Sequence, residues 1–217
     1  MPPLRFLMDN ANAAPKRAIT LLIASRNVHK IRECKAILGI LPHLDILSLL
    51  DFPHYTPPEE TGATFDENAI LKAVHAAKAL KLWALADDSG LVIPALHGAP
   101  GIFSARYAGK QATDAENRKK LLDEMKHLMD EDRRGYYHCS VALASFERVK
   151  KCTSGTCEGK LLAKERGGGG FGYDPLFIKN EYNKTFAELE ESLKNRVSHR
   201  RKALDKILLS LENLSPV

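Results

Sequence analysis

The sequence has no long apolar run. Its longest, Ile19 to Ala24, falls far short of the roughly 20 residues a membrane span needs, so no membrane association is expected. Cysteine is scarce as well. The 4 cysteines, Cys34, Cys139, Cys152 and Cys157, form no CxxC pair and have no histidine cluster beside them. That excludes a disulfide framework and argues against a zinc site, so reduced thiols in a cytoplasmic protein are the expectation. Aromatic residues are only 7% of the chain and do not interleave with a basic stripe, which argues against a nucleic-acid-binding module despite a net charge of +5. There is no repeat and no Pro/Ser-rich linker. The opening residues MPPLRFLMDNANAAPKR lack the apolar stretch of a secretory signal. Residues 1–16 are expected to be a flexible extension, and residues 17–217 a single folded unit.

What is present supports a compact enzyme-sized core. Hydrophobic residues make up 44% and charged residues 27% of 217 positions, enough apolar surface to fold and too much for disorder. The positive balance suits a polyanionic partner but does not choose among nucleic acid, membrane surface and nucleotide.

The pattern alternates strand and helix early and pairs strands later. Ile19–Ala24 reads as a buried strand, Ser25-Arg26-Asn27 as a turn, and Ile31, Cys34 and Ile37/Leu38 as one face of a helix stopped at Gly39. Residues 51–63 form a Pro-rich loop. Thr64…Glu67 is a capping box opening a helix with Phe65, Ala69, Ala73, Ala76/Ala77 and Leu80 on one face. A short strand from Trp83 should end at Asp87-Asp88-Ser89-Gly90 and resume at Leu91–Ile93, before a long loop over 94–112. Thr113…Glu116 opens another helix, with Leu121, Leu122, Met125 and Met129 inward. Cys139–Ser145 and Lys150–Cys157 read as an antiparallel pair, Pro175–Ile178 as a strand, and Val197 to Leu211 as one last helix. This predicts an α/β fold with a mixed sheet.

Several segments carry chemistry. Ser25-Arg26-Asn27-Val28-His29-Lys30 joins a strand to a helix, where free N–H groups and a partial positive charge favour phosphate. Taken alone, it reads more readily as a capped turn. Glu59-Glu60 precede the capped helix, and Lys72 on that helix leans back toward them. Asp87-Asp88-Ser89 presents adjacent carboxylates to opposite sides of the chain, one able to face a site and the other to support it. Carboxylates of this kind hold Mg²⁺ or take a proton from water. Gly167 to Gly170 followed by Phe171-Gly172-Tyr173-Asp174 lets a ligand approach the backbone, with Phe171 available to stack on a base. It is neither a Walker A loop nor a dinucleotide fingerprint. Lys194 and Ser198-His199-Arg200 add a basic segment after that loop.

Taken together, ASRNVHK (24–30), EETGATFDENAILKA (59–73), ADDSGL (86–91), GAPGIFSARYAG (98–109), GGFGYDPLF (169–177) and SHR (198–200) closely resemble the Ham1/RdgB-like family of inosine/xanthosine triphosphate pyrophosphatases. The resemblance runs in order from about residue 18 to the C-terminus. It implies an elongated mixed sheet with flanking helices forming two lobes around a nucleotide-binding cleft, a homodimer, and a need for Mg²⁺. It also implies cleavage of ITP, dITP and XTP to the monophosphate and pyrophosphate, cleansing the nucleotide pool. Carried over residue by residue, phosphate binding falls on Ser25 to Lys30 and Lys72, the metal on Glu60 and Asp88, and catalysis on Asp88, followed by Ser89. Base and ribose contacts fall on Phe171, Gly172, Tyr173, Asp174, Lys194, His199 and Arg200. Arg26 and His29 stand where the family pattern has glycine, so the phosphate loop is expected to differ in detail. A house-cleaning pyrophosphatase for another modified nucleotide is the alternative reading.

Overall fold

The computed structural model describes residues 18–215; the extension expected at 1–16 lies outside them. A mixed six-stranded sheet runs through the molecule in the order β2-β1-β3-β4-β5-β6. Its strands are β1 (Ile19–Ile23), β2 (Leu44–Ser48), β3 (Trp83–Val92), β4 (Arg134–Ala144), β5 (Val149–Leu161) and β6 (Phe177–Lys179). β1 lies parallel to both β2 and β3, and the remaining pairs are antiparallel.

The helices are α1 (Val28–Leu38), α2 (Phe65–Leu80), α3 (Asp114–Met125), α4 (Glu191–Val197), α5 (His199–Asp205) and α6 (Leu208–Glu212). The period of two along the strands decides which helix covers which face. Leu21, Ile23, Trp83 and Leu85 pack with Ile31, Cys34 and Ile37 of α1 and with Ala203, Leu204 and Leu211 of the C-terminal helices. Leu22, Ala84 and Ala86 meet the alanine stripe Ala69, Ala73, Ala76 and Ala77 of α2 on the other face. Small residues on both sides let α2 lie close against the sheet. Beyond Gly90 a separate core forms from Leu91, Ile93, Leu121, Met125, Tyr137, Phe177 and Phe186.

Several expectations are corrected. Asp87-Asp88-Ser89-Gly90 is no turn: β3 is continuous through it, paired to Val141, Ser140, Cys139 and His138 of β4. The turn propensity of these residues yields to the ladder with β4, which keeps the stretch extended along one edge. α3 ends at Met125, and Met129, expected inward, is exposed. The single last helix is three short ones. Ser198 interrupts it in an extended conformation and caps α5 by accepting from the Arg201 N–H, and a second break falls at Ile207. β2 has no counterpart among the elements expected from the sequence.

Candidate active site

β1 ends at Ile23, opposite Leu85, whereas β3 continues to Val92. α1 leaves β1 on one face and α2 approaches β3 on the other, so the connections diverge at the β1/β3 boundary. Such a switch point opens a crevice at the carboxyl end of the strand. The residues singled out from the sequence converge there.

Asn27 caps α1. Its Oδ1 accepts from the N–H groups of His29 and Lys30 at 3.0 and 3.1 Å, and its own N–H donates to Ser25 Oγ. Val28, at the first helical position, is exposed. Arg26 keeps a negative φ, as does His29, so the bulky replacements do not strain the loop. Arg26 donates to the carbonyls of Tyr55 (2.5 Å) and Pro53 (3.3 Å), tying the Pro-rich loop to the end of β1. The His29 ring stacks on Phe171, with centroids 5.1 Å apart and planes 12° apart.

Lys72 reaches across two turns of α2 to both acidic residues expected to share a cation. Its Nζ is 2.8 Å from Glu60 Oε1 and 2.8 Å from Asp88 Oδ1. The second Glu60 oxygen accepts from Arg106 at 2.6 Å, and Asn68 Nδ2 stands 3.4 Å from Asp88 Oδ2. Burial works against the Glu60 charge, but Lys72 and Arg106 outweigh it and hold the carboxyl at about 2. At Asp88 burial prevails over Lys72 and Lys30, and the pKa is raised. Burial opposes the Lys72 charge, yet Asp88 and Glu60 raise its pKa. Among the described residues no cluster of three or more metal-ligating side chains exists. Two carboxylates already sharing one cationic group suit Mg²⁺, which takes its remaining ligands from water and phosphate oxygens.

A second network lies on the other face. Asp87 is 3.1 Å from Lys30 Nζ and 3.0 Å from Arg200 Nη2, and it accepts from Ser89 Oγ. Against the cost of burial, Lys30 and Arg200 hold it well below the usual carboxylate range. Arg200 also pairs with Glu33, whose other oxygen is 2.8 Å from Lys194 Nζ, and Lys194 reaches Asp174 at 2.5 Å. Charges therefore alternate without a gap from Lys30 to Asp174. Asp174 further accepts from the Phe171 N–H at 2.9 Å and the Tyr137 hydroxyl at 3.2 Å.

These contacts show what else Arg200, Tyr173 and Ser198 hold. The terminal nitrogens of Arg200 are taken by Glu33, Asp87 and Ser89, and the residue is fully buried. It braces the site, while its Nε has no partner and the residue lines a pocket there. Tyr173 is also buried, its hydroxyl donating to the Ser104 carbonyl. Ser198 acts as a helix cap. Phe171, Gly172, Tyr173, Asp174, Lys194, His199 and Arg200 all line one pocket, together with Asn27, Lys30 and Ser89. His199 is buried and stacked on Tyr137, and its Nδ1 has no partner. Burial, with Arg200 and Lys194 nearby, pushes its pKa well below the ordinary value and keeps it neutral.

Sequence reasoning missed Glu33, Asn68 and Arg106. The signal for Glu33 was present: it sits among Ile31, Cys34 and Ile37 on the inward stripe of α1, where an acid needs a buried cation. Asn68 similarly precedes Ala69 on the buried side of α2. Arg106 lies inside a segment the resemblance already covers, yet its reach to Glu60 depends on the three-dimensional path of the loop.

Residues 21–209 match the sequence model of the Ham1 family. A dITP/XTP pyrophosphatase of Protochlamydia amoebophila is 57% identical over 195 residues, covering 89% of this chain and 98% of that protein. One of Chlamydia trachomatis is 52% identical over 189 residues, covering 86% of this chain and 90% of that protein. The structure of a HAM1 protein from Coxiella burnetii superposes with a TM-score of 0.80 at 42% identity, covering 90% of this chain and all of that one. A nucleoside-triphosphatase, dITP/XTP pyrophosphatase, from Mycobacterium abscessus gives 0.71 at 37% identity, over 88% of this chain and 99% of that one.

Proposed function

The chain belongs to the Ham1 family, and from that premise we propose that it hydrolyses ITP, dITP and XTP to the monophosphate and pyrophosphate. The observation that carries the reading is the Glu60–Lys72–Asp88 arrangement at the open carboxyl end of β1, next to the capped start of α1.

In this reading the triphosphate lies over the first turn of α1, where free N–H groups and Lys30 oppose its charge. Glu60 and Asp88 would hold Mg²⁺, which when bound would neutralise phosphate charge, including that developing on the departing pyrophosphate. Asp88 accepts the proton of the water that attacks the α-phosphorus. Lys72 stabilises the leaving oxygens. Asp87 keeps Lys30 and Arg200 in place without touching substrate. None of the cysteines serves as a nucleophile: Cys34, Cys139 and Cys157 are buried, and burial pushes every thiol up, Cys34 to about 12 and Cys152 to about 11.

Base selectivity follows from hydrogen bonding. Hypoxanthine and xanthine carry an accepting carbonyl at position 6, where adenine has a donating amino group. Lys194 and His199 supply donors, and His199 Nδ1 lacks a partner in the nucleotide-free protein. A buried polar group left unpaired costs about 1–3 kcal/mol, so a mismatched base is penalised. A homodimer is the assembly this reading carries, with the exposed Phe103, in the wall of a surface cavity, as an apolar contact. A reducing compartment such as the cytoplasm suits its free thiols. No described helix is long and apolar enough to cross a membrane.

The test is pyrophosphate release from ITP, XTP, ATP, GTP and CTP, with and without Mg²⁺. Metal-dependent release from ITP and XTP far above the others is expected. Orthophosphate as the product would move the attack to another phosphorus and overturn the mechanism. Preference for a pyrimidine would overturn the assignment of the base.

A further inference from the structure

We propose that Asp114 and Arg118 of α3 are positioning residues that staple the glycine-rich loop over the base site. The proposal rests on the reading that a purine base is held between Phe171, Lys194 and His199. Gly172 is gripped at both of its backbone polar groups. Its N–H donates to Asp114 Oδ2 at 2.7 Å, and its carbonyl accepts from Arg118 Nη1 at 2.9 Å. Arg118 also places its Nε 2.9 Å from Glu165 Oε1, a close ion pair although poorly aligned for a hydrogen bond. One helix therefore holds both ends of the segment from Glu165 to Gly172.

That segment needs holding. It contains the consecutive glycines Gly167 to Gly170, which have more conformational freedom to lose than any other residues. Gly172 itself sits at φ +59°, a left-handed conformation that leaves no side chain to anchor it. α3 is a fit anchor. Thr113 and Glu116 form its capping box, and Leu121 and Met125 are fully buried. Asn117 accepts from the Ala108 N–H and donates to the Ala105 carbonyl, fixing the helix to the loop before it. Asp114 and Arg118 are four residues apart and so project from one side of the helix.

The pocket beneath the staple is small, about 90 Å³, and Asp114 and Gly172 are both in its wall. The staple thus fixes the Phe171–Asp174 wall against which the base packs. The strength of the staple then acts on base affinity, while the chemistry at Asp88 lies outside its reach.

The experiment compares Arg118→Ala, Asp114→Ala and Asp114→Asn with wild type. Amide hydrogen exchange across 165–174 is measured in the nucleotide-free protein, and kcat and KM are measured for ITP. Asparagine loses the charge but keeps an oxygen that can accept from Gly172, so it separates the staple from the helix-end charge. The alanine variants should exchange faster over this segment and raise KM about 3- to 10-fold per bond lost. Their kcat should stay within about 2-fold of wild type, and Asp114→Asn should recover most of the KM. Faster exchange with unchanged KM, a loss confined to kcat, or an asparagine variant no better than alanine would overturn the proposal. A wild type inactive on ITP would count against the functional reading alone, and unchanged exchange in the alanine variants would still refute the staple.

Discussion

Asp87 and Asp88 are neighbours in β3, yet their carboxylates are held by cations on opposite faces of the sheet. Asp87 is bound by Lys30 and Arg200 from α1 and α5, and Asp88 by Lys72 from α2. The alternation of a strand produces this division directly. It needs β3 to stay extended at the point where β1 has stopped, so that one pair of adjacent residues serves a buried brace and an open site.

The two positions should therefore fail differently. Asp88→Asn is expected to fold normally and lose about 10²- to 10⁴-fold in kcat, the usual worth of a general base. Asp87→Asn leaves Lys30 and Arg200 without their shared partner and should cost about 3–5 kcal/mol of stability, as breaking a buried ion pair does. Thermal unfolding and ITP kinetics on both variants check this. A large stability loss at Asp88 with full activity would reverse the assignment.

Lys72 and a metal ion compete for the same oxygens. Removing the ammonium leaves Glu60 and Asp88 facing each other with less positive charge between them. Lys72→Met should therefore bind Mg²⁺ more tightly than wild type in the absence of nucleotide, while its activity falls because the triphosphate loses a cation. Titration calorimetry with MgCl₂ measures the first effect. Weaker Mg²⁺ binding in the variant would mean that the metal does not use this carboxylate pair.

His199 should make stability depend on pH in a range where few groups titrate. Its folded pKa is depressed well below 6.5 by burial and by the charges of Arg200 and Lys194. The unfolded chain takes up a proton as pH falls through 6.5 and the folded chain does not. The stability of the neutral form is thus fully present above 6.5 and declines below it, by at most about 1.4 kcal/mol per pH unit. His138, whose pKa burial also lowers, contributes in the same direction. Between pH 7 and 5 the wild type should lose more stability than His199→Gln. Parallel stability curves would show that His199 is protonated in the folded protein.

The residues of the candidate site stand out in the sequence as charged and polar types in order, but each segment alone reads as an ordinary turn or cap, and their roles are what the family resemblance implies. The misreadings share one cause: local preference was read where long-range pairing decides. Asp87 to Gly90 score as a turn, but β4 supplies partners along the whole stretch and keeps it extended. The resemblance implies a base or ribose contact at Arg200 and carries nothing about what else the residue holds. Its partner Glu33 is 167 residues away in sequence and appears only when α1 and α5 pack together. Arg106 and Arg118 act at the tips of long side chains, and spacing along the chain carries no information about where such tips arrive.

Gly170 offers the most direct test of whether the glycine loop is shaped for the site or merely tolerant. Its φ is +71°, and a Cβ there would meet Asp174 Oδ2 at 2.2 Å and Asp174 Cβ at 2.9 Å. Asp174 cannot step aside cheaply, since it accepts from the Phe171 N–H and is paired with Lys194. Gly170→Ala therefore forces either the carboxylate or the Phe171 backbone out of place, in addition to the cost of about 1 kcal/mol or more for alanine in a left-handed conformation. Both movements disturb the wall that faces the base, whereas Glu60, Lys72 and Asp88 are untouched. KM for ITP should rise, discrimination against ATP should shrink, and the Mg²⁺ requirement should stay as it was. Gly168, whose added Cβ would meet nothing within 4 Å, is the matched control, and Gly168→Ala should leave all three unchanged. Equal effects at both positions would mean that the loop contributes only its flexibility.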